Sequence, residues 1–422
     1  MIFLYRWLSF LFEPLINLLL WRRKRSGKED PERMAERKGL SRTKRPAGRL
    51  IWIHAASVGE SLSVLPLAQS LLAKSPDLHV LITTGTVSSA RILAKQLPDH
   101  VIHQYVPMDL TVWVRRFLDH WRPELAVWIE SEFWPNLMLE TAARGIPMAL
   151  VNGRMSEHSY RRWRLSRRGI MQLLKCFRVL LARDEQSVKF FRDIGAAHAR
   201  TVGDLKLAAD ALPVDEAELA RLRAAIGARP VWLAASTHPG EEDIVQGTHA
   251  QVRRQFPGLL SIIAPRHADR GVEIAARLAG EGLKVVRRST GELPGPDTDI
   301  YLADTMGEMG LIYRLAPIAF VGGSLVPHGG QNPLEPARLG CAILYGPYTD
   351  NFTGIYAGLN KVGAARQISE AAFLADNVAM LLGDKQAAAS RGRAAKAQAL
   401  KGRDKVLEHI IEALEPLLPK PE

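Results

Sequence analysis

Glu60 is the residue in this chain best placed to move a proton. It closes the stretch His54-Ala55-Ala56-Ser57-Val58-Gly59-Glu60, which follows an apolar run directly, and a carboxylate at the mouth of a strand-to-helix turn can act as a general base. Ser57 and Glu60 also have the spacing of a capping box, in which the two residues satisfy a helix start and do nothing else. Both readings stand at this point. Glu130-Ser131-Glu132-Phe133-Trp134-Pro135 adds two carboxylates beside an aromatic pair, and dipole complementation accounts for one such acid better than for two. Thr83-Thr84-Gly85-Thr86 offers hydroxyls at a further turn.

Anion binding is the second chemistry. Val321 to Gly340, VGGSLVPHGGQNPLEPARLG, reads as a strand end, a glycine-rich loop and a helix with Asn332 as N-cap and Pro333 as its first residue. Glycines 322, 323, 329 and 330 would let a phosphate approach the main chain. Glu335, at the third helical position, could reach a ribose or close a capping box with Asn332. Arg266, at a strand end in Pro265-Arg266-His267, is a phosphate ligand by charge and geometry, the alternative being a surface ion pair. Ser236 to Glu242 and Asp304-Thr305-Met306-Gly307-Glu308 follow other strands. Asp297-Thr298-Asp299 is a DxD doublet of the kind that holds a divalent metal in some sugar transferases. It precedes a strand in a Pro- and Gly-rich loop, at the wrong sheet edge, and reads as a solvated turn.

These turns need a scaffold of alternating strands and helices. Strands are expected at 50–54, 79–83, 101–106, 125–129, 147–151 and 179–182, then at 231–235, 260–264, 284–286, 300–303, 318–321 and 342–345, with helices between. That is βαβ arithmetic, an α/β chain of two tandem doubly wound parallel sheets. With 422 residues there is material for two cores. The pattern breaks over 205–218, where a linker is expected. Two such domains would present a cleft at the carboxyl ends of their strands, the edge at which ligands of these folds bind.

Net charge is +12, and it is concentrated: residues 22–49 carry twelve Lys or Arg against four acids, and residues 154–168 six Arg against Glu157. The partner there should be anionic. Nucleic acid is disfavoured, because no zinc finger, RNP-like strand or aromatic ladder is present. Anionic lipid fits better. Ile2 to Trp21 is apolar and twenty residues long, with Arg22-Arg23-Lys24-Arg25 behind it, the reverse of a cleavable signal. A helix that spans the bilayer or lies in its interface is expected, with the bulk of the protein on the cytoplasmic side. Cys176 and Cys341 are far apart, which suggests neither a disulfide framework nor a zinc site.

HAASVGE, ESEFWPNL, STHPGEE, PRH, DTMGEM and GGSLVPHGGQNPLEPA together resemble, in order and spacing, the Kdo transferase family. Its members add 3-deoxy-D-manno-octulosonic acid (Kdo) from CMP-Kdo to the lipid A precursor of Gram-negative bacteria. The resemblance runs from the N-terminal segment to about residue 400. It implies a GT-B fold: an anchor over 1–21, an acceptor-binding Rossmann-like domain over 22–210, and a CMP-sugar-binding Rossmann-like domain with C-terminal helices over 211–422. It also implies inverting transfer to lipid IVA with Glu60 as base. CMP contacts would come from Pro265, Arg266, Met306, Gly307, Glu308, Asn332, Pro333, Leu334 and Glu335, with neither metal nor cofactor. The expected location is the cytoplasmic face of the bacterial inner membrane. Two departures bear on donor contacts: Gln331 stands where the family usually has His, and Asp204 where Asn is usual. A nucleotide-sugar epimerase of the same fold and a non-enzymatic nucleotide-binding module are the competing readings.

Overall fold

Strands buried on both faces read as near-continuous apolar runs, which is why so many of them are legible here. The computed structural model of the chain describes residues 5–419 apart from 7, 8, 10, 76 and 95. One parallel sheet contains β1 (Arg49–His54), β2 (Leu78–Thr84), β3 (Val101–Tyr105), β4 (Leu125–Ile129), β5 (Met148–Gly153), β6 (Phe177–Ala182) and β7 (Arg200–Thr201). The order is β3-β2-β1-β4-β5-β6-β7. The second contains β8 (Val231–Thr237), β9 (Leu260–Pro265), β10 (Val285–Arg287), β11 (Ile300–Leu302), β12 (Ile318–Val321), β13 (Ala342–Tyr345) and β14 (Ala365–Gln367), ordered β10-β11-β9-β8-β12-β13-β14. Every expected strand is present. The short edge strands β7 and β14, two and three residues long, have no apolar run to announce them.

Side-chain alternation along each strand divides the cores. Leu50 and Trp52 of β1 join Trp128 and Leu150 on one face, while Ile51 and Ile53 join Val127 and Val151 on the other. In the second sheet Trp232 and Ala234 pack with Phe320, and Leu233 and Ala235 with Ile262.

The chain forms two compact units, Met1–Ala209 with Gly402–Glu422, and Asp210–Lys401. The break at 209 falls inside the linker expected from sequence. The end of the chain does not follow the expected division, since the segment after residue 401 belongs to the first unit. The reason is an apolar stripe on the last helix, Lys385–Leu414: Val406, Leu407, Ile410, Ile411 and Leu414 complete the core behind β1 and β2.

The expected anchor falls partly on residues 1–4, 7, 8 and 10, which lie outside the described residues. The described helix there is Glu13–Arg25, so the basic run forms its last turn. Among the described residues no helix is long and apolar enough to cross a membrane; charges inside the run and a helix that extends into the arginines keep it below that mark.

Candidate functional site

In each sheet the strand order reverses between two neighbours, β1 and β4 in the first and β8 and β12 in the second. The crevice outside the carboxyl ends of such a pair is where open α/β sheets bind ligands. The residues following these four strands therefore define two candidate constellations, one per unit. Both carry strained backbone: Glu130, after β4, has φ of 59°, and Ser236, near the end of β8, has φ of 57°. Non-glycine residues held there cost about 1–3 kcal/mol and cluster at functional sites.

In the first unit β1 ends at His54 and the helix Val58–Ser63 begins with Ser57 as its N-cap. The N-cap is real, with Glu60 reaching back to Ala56 N–H where a capping box would use that of Ser57. Glu60 N–H donates to Ser57 Oγ at 3.4 Å, Ser57 Oγ–H donates to Glu60 Oε1 at 2.5 Å, and Ala56 N–H donates to Glu60 Oε2 at 2.9 Å. The cap does not exhaust the residue. Burial pushes the Glu60 pKa up, the Ser57 bond opposes it, and the negative charges of Glu130 and Glu132 add to the rise. Three carboxylates are thus gathered at one switch point, and a carboxylate with a raised pKa is a stronger proton acceptor once ionised. Two tryptophans support the second loop: Trp134 Nε1–H donates to Glu132 Oε2 at 3.1 Å and Trp128, on β4, donates its Nε1–H to Glu132 O at 3.1 Å. The threonine hydroxyls are spent on structure, Thr83 on Trp52 and His54, Thr84 on His103, and Thr86 on the cap of the next helix.

In the second unit the glycine loop is built differently from expectation. Glu241, fully buried at the start of the helix Glu241–Arg253, fills it. Its Oε2 accepts from Gly323 N–H at 2.7 Å and from His238 N–H at 2.9 Å, and its Oε1 from Ser324 N–H at 3.1 Å and Leu325 N–H at 3.0 Å. These donors are therefore not free to cradle a phosphate. A Cβ on Gly322 would sit 2.5 Å from Ser236 O and 2.9 Å from Glu241 Oε2, so this glycine makes room for the protein's own carboxylate. The helix also starts later: it runs Leu334–Arg338, with Pro333 as N-cap, while Asn332 Oδ1 accepts from Leu334 N–H at 3.1 Å. Asn332 before a Pro makes a side-chain turn in place of the cap.

Of the residues expected to contact CMP, Arg266, Asn332 and Glu335 come together. Asn332 Nδ2–H reaches Glu335 Oε1 at 3.4 Å. Burial raises the Glu335 pKa, and the charges of Arg338 and Arg266 act against it. Arg266 is exposed and, among the described residues, enters no ion pair, so the surface-pair alternative is not realised. Pro265 ends β9 in register with Thr237, while Pro333 and Leu334 are buried and shape the turn. The side chain of Glu308 is committed to Arg288, at 2.7 and 3.1 Å, and to Thr305, which leaves exposed Met306 and Gly307, with φ of 85°, as that turn's open face.

Two features were not singled out from sequence, the histidines around His238 and the role of Glu241. His238 stacks on His328 with ring centroids 4.2 Å apart and lies 6.4 Å from His267, edge-on. Burial lowers the His238 pKa, and His328, His267 and Arg266 lower it further. Gln331 Nε2 is 3.0 Å from His238 Nε2, so the unusual residue of the loop orients this histidine. Only Glu241 had an available signal, an acid opening a helix opposite a glycine loop.

The DxD reading holds for one of its two acids. Asp297 meets Lys284 in solvent at 3.1 Å. Asp299 is buried against Arg253 at 2.7 Å and Lys284 N–H at 2.9 Å, because its position just before β11 tucks it under the sheet's amino edge.

Comparison with known proteins bears on these constellations. Residues 32–209 match the family model described as 3-deoxy-D-manno-octulosonic-acid transferase (kdotransferase). The chain is 36% identical over 380 residues to the 3-deoxy-D-manno-octulosonic acid transferase of Rickettsia bellii, covering 90% of each. It is 33% identical over 423 residues to that of Haemophilus influenzae, covering 99% of this chain and 98% of the relative. A glycosyltransferase from Rickettsia africae has the same fold, with a TM-score of 0.60, 11% identity, and 89% of this chain and 100% of that one covered.

Proposed function

The chain belongs to the 3-deoxy-D-manno-octulosonic acid transferase family, and from that premise we propose that it moves Kdo from CMP-Kdo to the lipid A precursor, lipid IVA, with inversion. The observation that carries the mechanism is the Glu60 carboxylate, buried beside Glu130 and Glu132 with a raised pKa. Glu60 takes the proton of the acceptor hydroxyl as that oxygen attacks the ketosidic carbon of Kdo. The bond to the phosphate of CMP breaks on the opposite face, which inverts the centre by the logic shared with inverting glycosidases.

The second unit holds the donor nucleotide through Arg266, Asn332, Glu335 and the Met306-Gly307 turn. Because Glu241 takes the N–H groups of Gly323 to Leu325, the charge developing on the departing phosphate falls to Arg266, placed in advance where charge appears. The acceptor brings phosphates and acyl chains, and the basic segments at 22–49 and 154–168 suit it. Residues 1–25 hold the enzyme at the cytoplasmic face of the inner membrane against anionic lipid. A nucleotide-binding module without activity would have no use for a base at Glu60. Incubation with CMP-Kdo and lipid IVA, followed by mass spectrometry of the lipid, tests the reading: the account expects a mass gain of one or more Kdo units.

A further inference from the structure

We propose that Arg37 is a positioning residue for the base: it clamps the strand ends beside Glu60 and, through Gly85 and Ala56, fixes the attitude of the Glu60 carboxylate. The inference rests on the reading of Glu60 as the proton acceptor, and Arg37 acts on it through the main chain.

Arg37 is 3% exposed on the 3-10 helix Met34–Lys38. Its guanidinium donates in three directions: Nε–H to buried Glu29 at 2.9 Å, Nη1–H to Val106 O at 3.2 Å and Nη2–H to Gly85 O at 2.6 Å. Val106 follows β3 and Gly85 follows β2, so one side chain joins the carboxyl ends of two neighbouring strands. A planar fork suits that task, whereas a lysine ammonium on its flexible stem is a point donor. The backbone there is fixed as well. Met108 N–H donates to Arg37 O at 2.9 Å, and Gly39, with φ of 76°, ends the turn where a Cβ would lie 1.9 Å from Trp113 O.

From Gly85 the constraint passes to the base. Gly85 N–H donates to Ala56 O at 3.1 Å, and Ala56 N–H donates to Glu60 Oε2 at 2.9 Å. Gly85 and Ala56 are each held by both N–H and C=O, so neither turns without straining a bond on its other side. A capping box would close on the N–H of Ser57; Glu60 closes on Ala56, the residue that the clamp holds. Ser57 Oγ–H takes Oε1 at 2.5 Å, so both carboxylate oxygens are gripped. A base must meet its proton within hydrogen-bond reach, and a misplacement of about 1 Å can cost a hundredfold in rate. A buried ion pair such as that of Arg37 with Glu29 brings little net stability; what this one gains is placement. The charges acting on Glu60 are those of Glu130 and Glu132, and the elements packed on its helix carry Lys74, Arg91 and Lys206. The variants below leave all five in place.

The test is the pH profile of Kdo transfer by the full chain, whose acid limb in kcat/KM reports ionisation of the free enzyme's base. The bond from Ala56 lowers the Glu60 pKa. Arg37→Lys, which loosens Gly85, should therefore move the limb upward by about one pH unit and lower the plateau kcat about ten- to a hundredfold, with KM for CMP-Kdo unchanged. Gly85→Ala keeps Arg37 and places a Cβ 3.2 Å from Ala56 O; it should move the limb the same way, and it carries the test where Arg37→Lys does not fold. Arg33→Gln removes the adjacent bonds to Glu36 and His103 O and should lower the melting temperature with the limb in place. A limb that stays put in Arg37→Lys and Gly85→Ala, or that moves as far in Arg33→Gln, would overturn the proposal and leave Arg37 a structural clamp. Residual transfer by Glu60→Gln identifies the limb. Its loss there assigns it to Glu60, while its persistence removes the base reading itself, a failure distinct from a limb that belongs to Glu60 and does not move.

Discussion

The carboxylate of Glu241 receives the main-chain N–H of Gly323 at 2.7 Å, with the N–H groups of Ser324 and Leu325 on its other oxygen. The loop that looks like a phosphate cradle is thus a support, with an anion of the protein's own in its centre. Glu241→Ala would leave three loop N–H groups and that of His238 unpaired. It should destabilise the second unit by about 2–4 kcal/mol, seen in urea unfolding, since orphaned buried donors keep their full desolvation cost. A variant that unfolds like the parent yet no longer binds CMP would reassign Glu241 to the ligand.

Arg266 has no ion pair among the described residues, so its loss should cost binding alone. Arg266→Ala is expected to weaken CMP by about 1.5–3 kcal/mol, roughly ten- to a hundredfold by calorimetry, with the melting temperature unchanged. A lower melting temperature with intact affinity would make it structural.

Glu335→Ala should weaken CMP by a similar factor, about ten- to a hundredfold, if the proposed ribose contact is made by this carboxylate. Its bond to Asn332 is long, at 3.4 Å, so little stability is expected to go with it. Affinity unchanged alongside a fall in melting temperature would favour the capping role.

The two acids of the DxD doublet should now behave differently. Asp297→Asn is expected to shift stability by less than about 0.5 kcal/mol, as exposed pairs do. Asp299→Asn should cost about 1–3 kcal/mol, because it leaves Arg253 and a buried acceptor site mismatched. Equal effects in thermal melts would contradict the burial of Asp299.

What the sequence makes legible is whatever depends on local period. The runs at 125–129, 318–321 and 342–345 coincide with β4, β12 and β13, because strands buried on both faces cannot be anything but apolar. Ser57 and Glu60 are three apart, and three apart is what a cap requires. Partners far away in the chain leave no such trace. Glu241 meets Gly323 across 82 positions and Val406 completes a core begun at Ile51; nothing local to either residue names the other. Arg266 could be placed at a strand end, but only the three-dimensional arrangement shows that, among the described residues, it enters no ion pair.

The rise in the Glu60 pKa has a consequence for stability, and its sign is opposite to that of a salt-bridged acid. Burial, aided by Glu130 and Glu132, raises the folded value above the ordinary 4.5. The contribution of Glu60 is therefore fully present below pH 4.5 and is lost as the pH rises through the folded value. Glu60→Gln removes that ionisation, so at pH 7 its melting temperature should equal or exceed the parent's, with the margin closing toward pH 4.5. A deficit at pH 7 would mean that the ionised carboxylate holds the turn.

With stability so controlled, the rate of Kdo transfer by Glu60→Gln is the most direct measurement. Gln keeps the shape and can still close the cap on Ser57, but it cannot accept a proton. The account predicts a kcat lower by about two to four orders of magnitude, with CMP-Kdo still bound, since the proposed nucleotide site lies in the second unit. Transfer at near the parent rate would leave Glu60 a helix cap and remove the base from the mechanism.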